Sequence, residues 1–319
     1  MNRNEFIEKI RDEILHTLPE ELKKDLDIQQ TTVMKFNDQE HHGLTFKRGE
    51  SEAAPTIYLD EAFERFKEGE NINVLAMEIR GAYVDTIGMP QPQKVDFDFD
   101  KIRDKLTVRL LEIRRNREYL SQTPYMTVGH GLAMVCDIKM NDGRDGSWRA
   151  TVTQSMLESQ GYDKQELFVA AMDNARLIDP PILVDMNQAL FTRDAENLML
   201  RENPIEASEN AKMYVLSNES GMLGSAALFY PEAKEHIAAV IDDGYSVIPS
   251  SVHEVLIIPD SAGINADELS RMVKEANQSV VEAKDVLSDN VLHYDRDRGQ
   301  LEPAAAQKQR QEMQMEKGA

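Results

Sequence analysis

The residues best suited to chemistry stand together at Ser250-Ser251-Val252-His253-Glu254. A hydroxyl, an imidazole and a carboxylate are the parts of a nucleophilic hydrolase, provided that the base reaches the nucleophile and the carboxylate orients the base. Their spacing works against that use. Apolar runs flank them at Tyr245-Ser-Val-Ile248 and Val255-Leu-Ile-Ile258, and an extended chain turns successive side chains to opposite faces. On a strand, adjacent His253 and Glu254 diverge, while serines at a hairpin turn satisfy nearby backbone groups. Neither the strand-turn-helix Gly-x-Ser-x-Gly elbow nor the two-histidine zinc-protease helix is present. Ser250, Ser251, His253 and Glu254 therefore remain candidates for a hydrolase or transferase site completed from elsewhere in the chain.

Other polar clusters are less complete. His41-His42, beside Asp38 and Glu40, has metal-binding residue types but needs distant ligands to fill a shell, and reads as a solvated turn. Asn141-Asp-Gly-Arg-Asp-Gly146 places Asp beside Gly, yet Arg144 and Gly146 fall where a calcium loop needs oxygen ligands. Gly129-His130-Gly131 lacks the Lys and Ser or Thr of a phosphate loop. The single cysteine, Cys136, has no internal disulfide partner and reads as a small buried hydrophobe among Met134, Val135 and Ile138. No cofactor or metal is expected.

Charge narrows the partners. The 319 residues hold 36 Lys and Arg against 57 Asp and Glu, a net charge of −21. This disfavours direct binding to nucleic acid or to anionic lipid. It leaves open an acidic mimic of nucleic acid, which needs carboxylates at phosphate-like spacing. The balance reverses only locally, with seven basic and two acidic residues at 101–117. Read as a helix capped by Asp100, that stretch turns Ile102, Leu106, Leu110 and Ile113 inward and lines Lys101, Lys105 and Arg109 along one side, a docking strip for a protein partner. The bland alternative is neutralisation by nearby carboxylates. The opening residues run into a charged helix instead of an apolar leader, and no run is long enough to cross a bilayer, so a cytoplasmic location is expected.

Hydrophobic residues make up 41% of the chain, enough for a real core. Short runs rich in branched and aromatic residues alternate with helical patterns. Hairpin followed by helix recurs at 28–69, 132–178, 213–242 and 245–278, which predicts an α+β fold of antiparallel hairpins alternating with helices in two sub-domains. The expected divisions are an N-terminal α+β region at 1–90, a linker and basic helix at 91–120, a C-terminal α+β region at 121–300 and a flexible tail at 301–319. Within them, Asp60 is expected to cap a helix, 213–216 and 225–230 to form a hairpin, and 291–294 to be an edge strand.

At Pro55-Thr-Ile-Tyr-Leu59, at Pro249-Ser-Ser-Val-His-Glu-Val-Leu256, and at Leu287-Ser-Asp289 through Tyr294-Asp-Arg296, the chain resembles an uncharacterised family. These are domain-of-unknown-function proteins abundant in Gram-positive gut bacteria and often encoded near mobile genetic elements. The likeness extends to about Leu301. It implies a cytoplasmic bacterial protein without assigned activity, cofactor or catalytic residues. Together with the incomplete catalytic set, it leads to the expectation of a non-enzymatic interaction or accessory protein of mobile elements.

Overall fold

A computed structural model describes residues 1–49, 54–87, 98–143, 146–191, 195–205 and 213–310. The chain divides into two compact units, Met1–Asp96 and Phe97–Ala319. Most of the Pro-Gln stretch read as a linker lies outside the described residues. The protein is α+β, and every strand pairing among the described residues is antiparallel.

In the first unit, Asn2 and Glu5 exchange hydrogen bonds with each other's backbone, a capping box that opens the Arg3–Thr17 helix. The helix buries Phe6, Ile7, Ile10 and Ile14, as their spacing of three and four requires. Beside it lies a sheet of β1 (Leu26–Lys35), β2 (Gln39–Arg48) and β3 (Thr56–Tyr58), in that order. The β1–β2 connection is only Phe36–Asp38, because Asn37 and Asp38 adopt the left-handed backbone that short polar side chains tolerate. His41 and His42 consequently lie on β2 and not in the expected turn. Asp60 is the first residue of the Asp60–Lys67 helix rather than its cap, and its carboxylate accepts the His42 N–H at 3.1 Å. Phe46 stacks on Tyr83 of the Ile72–Ile87 helix with ring centroids 4.2 Å apart.

The second unit holds two sheets. One comprises β4 (Leu106–Glu112), β5 (Tyr125–Gly129), β6 (Leu132–Gly143) and β7 (Gly146–Thr151). Strand β6 pairs with β4 along one side, and with β5 and then β7 along the other. The hairpin read at 132–139 and 148–153 is present, as is the Gln154–Gln160 helix closed by left-handed Gly161. The other sheet runs β13-β12-β10-β11-β9-β8, formed by β8 (Pro181–Asp185), β9 (Tyr214–Asn218), β10 (Tyr245–Ile248), β11 (Val255–Pro259), β12 (Leu292–Asp295) and β13 (Gln300–Pro303).

Three further expectations are overturned. The basic helix is largely a strand: only Phe99–Ile102 is α-helical, Arg103–Lys105 is a single 3₁₀ turn, and β4 follows with all seven residues buried. A spacing of four is even, so it keeps Leu106 and Leu110 on one face of a strand as readily as of a helix. Lys101 is exposed and pairs with Asp98 at 3.5 Å, Lys105 is exposed, and Arg109 is only 2% exposed, so no positive strip forms. Residues 225–230 do not pair as a strand. Gly224–Phe229 is a 3₁₀ helix with Gly224 to Leu228 buried. A Cβ on Gly224 would stand 2.5 Å from the Asn218 nitrogen and 2.8 Å from the His253 oxygen, an approach that only glycine permits. Strand β12 is internal, between β10 and β13. The start of the expected flexible tail supplies that cover, since β13 is followed by helical residues 304–310 with Ala304 buried.

Among the described residues, Arg109 is the largest side chain that is almost wholly enclosed. Its Nε lies 3.0 Å from Asp137 Oδ2, and its terminal nitrogen donates to Thr151 Oγ1 at 2.8 Å and to the Tyr119 hydroxyl. Thr151 in turn donates to Asp137 Oδ1 at 2.9 Å. Removing one partner strands a buried charge, which costs about 3–5 kcal/mol. Asp137→Ala should lower the urea-unfolding free energy by about that amount, and combining Arg109→Met with Asp137→Leu should recover most of it; equal losses in both variants would show that the ion pair is not the source.

Candidate functional site

The Ser-His-Glu cluster forms the connection between β10 and β11. His253 Nδ1 accepts the Leu223 N–H at 3.2 Å, which fixes the ring proton on Nε2, 3.4 Å from Asp285 Oδ1. An imidazole so engaged has no lone pair left to take a proton from a serine. Ser251 Oγ accepts the His253 N–H at 3.0 Å, while Ser217 and Ser225 donate to the carbonyls of His253 and Val252, each at 2.8 Å. Ser250 and Ser251 are buried, with backbone bonds from Leu287 and Ser288 to the Pro249–Ser250 carbonyls. Strand β11 starts at Val255, so His253 and exposed Glu254 sit in the turn and not on the strand as read. The cluster's bonds stitch that turn to the Gly224–Phe229 helix and to residues 285–288.

The two adjacent histidines point to opposite faces of β2. His41 Nδ1 is 3.2 Å from Asp60 Oδ2, whereas His42 Nδ1 meets Thr32 Oγ1 at 3.2 Å and its Nε2 meets Glu40 at 3.6 Å. No group of three His, Cys, Asp or Glu side chains among the described residues is placed to hold a metal. Burial, and then the neighbouring Asp137, push the Cys136 thiol pKa up, so its reactive thiolate is suppressed.

Two cavities were missed by sequence reasoning. The first, about 410 Å³, lies at one end of the six-stranded sheet. His293, on β12 and only 3% exposed, places Nε2 3.0 Å from both Asp260 oxygens and 3.0 Å from the Gln307 side-chain nitrogen. Gly244 makes room, since a Cβ there would stand 2.5 Å from Asp260 Oδ2. The cations around it are engaged: Arg296 pairs with Asp242 at 2.7 Å, Arg298 with Glu302 at 3.4 Å, and Arg310 with Glu302. The Arg310 hydrogen bond holds the Glu302 carboxyl below its usual range. This constellation ties residues 304–310 to the sheet.

The second is a groove of about 850 Å³ between β5 and the Lys164–Ile178 helix. Asp163 opens that helix by accepting the Gln165 and Glu166 N–H groups. The inward face buries Leu167, Phe168, Ala170, Ala171 and Ala175, leaving Val169 58% exposed. Tyr125, Met126 and Thr127 line one wall and Phe168, Val169 and Met172 the other. Consecutive side chains on a strand alternate, so a wall of three consecutive residues means that the groove follows the strand's edge. Among the described residues, strand β5 pairs with β6 alone. An adjoining depression of about 650 Å³ shares Asp163, Gln165 and Val169 and adds Phe99 and Tyr162, whose rings are 4.7 Å apart. Asp100, Asp163, Glu166 and Asp173 rim the two, against Arg103 and Lys164. The readable signal was the unbroken run Leu167-Phe-Val-Ala-Ala-Met172; a helix cannot turn six successive apolar residues toward one core.

Comparison with known proteins finds a matching family. The model of a family of unknown function, DUF5688, covers residues 3–296. No curated protein and no solved structure matches.

His253 should behave as a structural residue. His253→Ala leaves the Leu223 N–H without its acceptor and should cost about 1–2 kcal/mol in chemical denaturation, while Glu254→Ala at the exposed next position should stay within about 0.5 kcal/mol.

Proposed function

We propose that this chain, which belongs to the DUF5688 family, is a non-enzymatic protein that binds another protein, serving an accessory role in the cytoplasm of bacteria that carry mobile elements. The observation that carries the reading is the apolar groove beside the unpaired edge of β5. Above buried Phe168 its walls are side chains left partly or wholly exposed, Tyr125, Met126, Thr127, Val169 and Met172, and apolar surface of that kind marks interaction sites. The rival reading, a hydrolase or transferase using His253 or Glu254, is weakened by the hydrogen bonds that commit His253 to Leu223 and Asp285. The third, an acidic mimic of nucleic acid, is weakened by carboxylates interleaved with cations, as where Arg65 engages both Glu70 and Glu78.

A capture experiment tests the reading. The immobilised chain should retain the same protein reproducibly from extract of its host, and Val169→Asp, a change at an exposed position, should reduce retention at least tenfold. Equal retention by the variant would remove the groove from the interaction. Turnover of ester, phosphoester or glycoside substrates by the purified chain, lost in His253→Gln or Asp260→Asn, would overturn the non-enzymatic reading itself.

A further inference from the structure

We infer that the groove takes its partner as an extended segment, paired with the backbone of β5 and carrying alternating apolar and cationic side chains. The inference rests on the interaction reading above and specifies how that surface works. Edge strands present unpaired N–H and C=O groups, and proteins blunt them with charges, prolines or burial. Among the edge strands of five or more described residues, β1 carries Asp27 and Lys35, β4 is buried and carries Arg109 and Glu112, β7 carries Arg149, and β8 carries Pro181 and Asp185. Strand β5, Tyr125-Met-Thr-Val-Gly129, carries none of these. Its one irregularity, a register shift between Thr127 and Gly129, sits at the end nearest the turn and leaves residues 125–127 regular. An undefended edge is what addition of a partner strand requires.

The flanking groove supplies the rest of the recognition. A five-residue strand spans about 16 Å, enough for two or three side chains of a paired segment to point one way. Those chains meet Val169 and Met172 above buried Phe168, of which Met adapts its shape to different apolar partners. Side chains at the intervening positions reach the rim, where four carboxylates stand against two cations. Within a protein of net charge −21, such a rim attracts lysine and arginine and speeds their encounter.

Fluorescent seven-residue peptides test this directly with the intact chain. Lys-Val-Lys-Val-Lys-Val-Lys should bind, and added salt should weaken it. The analogue with proline at the central valine, which cannot complete the ladder, and the analogue with glutamate at every lysine should each bind at least tenfold more weakly. Val169→Asp should lower affinity for the first peptide at least fivefold, and hydrogen exchange at residues 125–129 should slow when that peptide is bound. Equal binding of the proline analogue, or unchanged exchange in β5, overturns strand pairing. Absence of peptide binding, while groove-dependent capture from extract persists, overturns this inference and leaves the interaction reading standing. Peptide binding without capture overturns the interaction reading instead.

Discussion

The second unit depends on the ion pair between Arg109 and Asp137, each side chain 2% exposed. Arg109 comes from β4, Asp137 from β6, and Thr151, which bonds to both, from β7. A buried ion pair is weak as a source of stability, because desolvation offsets most of the Coulombic gain. Its strength lies in specification. A one-residue slip of any strand would send its polar member to the opposite face, leaving the others buried without partners. The pair therefore fixes three strands in one register, with Asp137 opposite Thr107 on one side and Thr151 on the other. The polar groups thus select among apolar packings that hydrophobic burial alone would leave nearly equivalent.

A second polar set joins the two sheets. Glu112, the last residue of β4, accepts from Arg115 at 2.7 Å, and Arg115 also reaches Asp289 at 2.7 Å. Asn277 then donates to Asp289 at 2.7 Å and to the Ser288 carbonyl at 3.1 Å. The segment Leu287-Ser-Asp289, distinctive in the sequence, is thus a structural clasp. Pro249 to Leu256 has the same character, since its serines and histidine bond to backbone. Residues that resemble a reaction centre in one dimension are here occupied with holding loops in place.

Much of the architecture was legible in local pattern. The hairpin at Tyr245–Pro259 and the Asn265 capping box that opens the Ala266–Ser279 helix follow from short-range signals. Failures came where a pattern fits two periods. Leu106 and Leu110 satisfy helix and strand alike, and the choice was made by β6, which lies more than twenty residues onward and offers seven consecutive pairing positions. The run Ser225-Ala-Ala-Leu228 was misread for the same reason: small and apolar, it suits any buried conformation, and Gly224 settled it through close contact with Asn218 and His253. The groove was out of reach because its walls come from β5 and from a helix some forty residues later, brought together only by the sheet. The cavity at His293 was likewise hidden, since Asp260 and Gln307 stand far from it in sequence.

Strand β13 and residues 304–310 are laid along β12 and tied down by Gln307 and Arg310. They serve as a selvedge for the six-stranded sheet. A chain clipped by a protease after Arg296 would present β12 as a raw margin of open amides and carbonyls, in a strand whose Leu292, His293 and Tyr294 are otherwise enclosed. Copies damaged in that way would be prone to stick margin to margin, so the closing stretch also guards the protein against clumping.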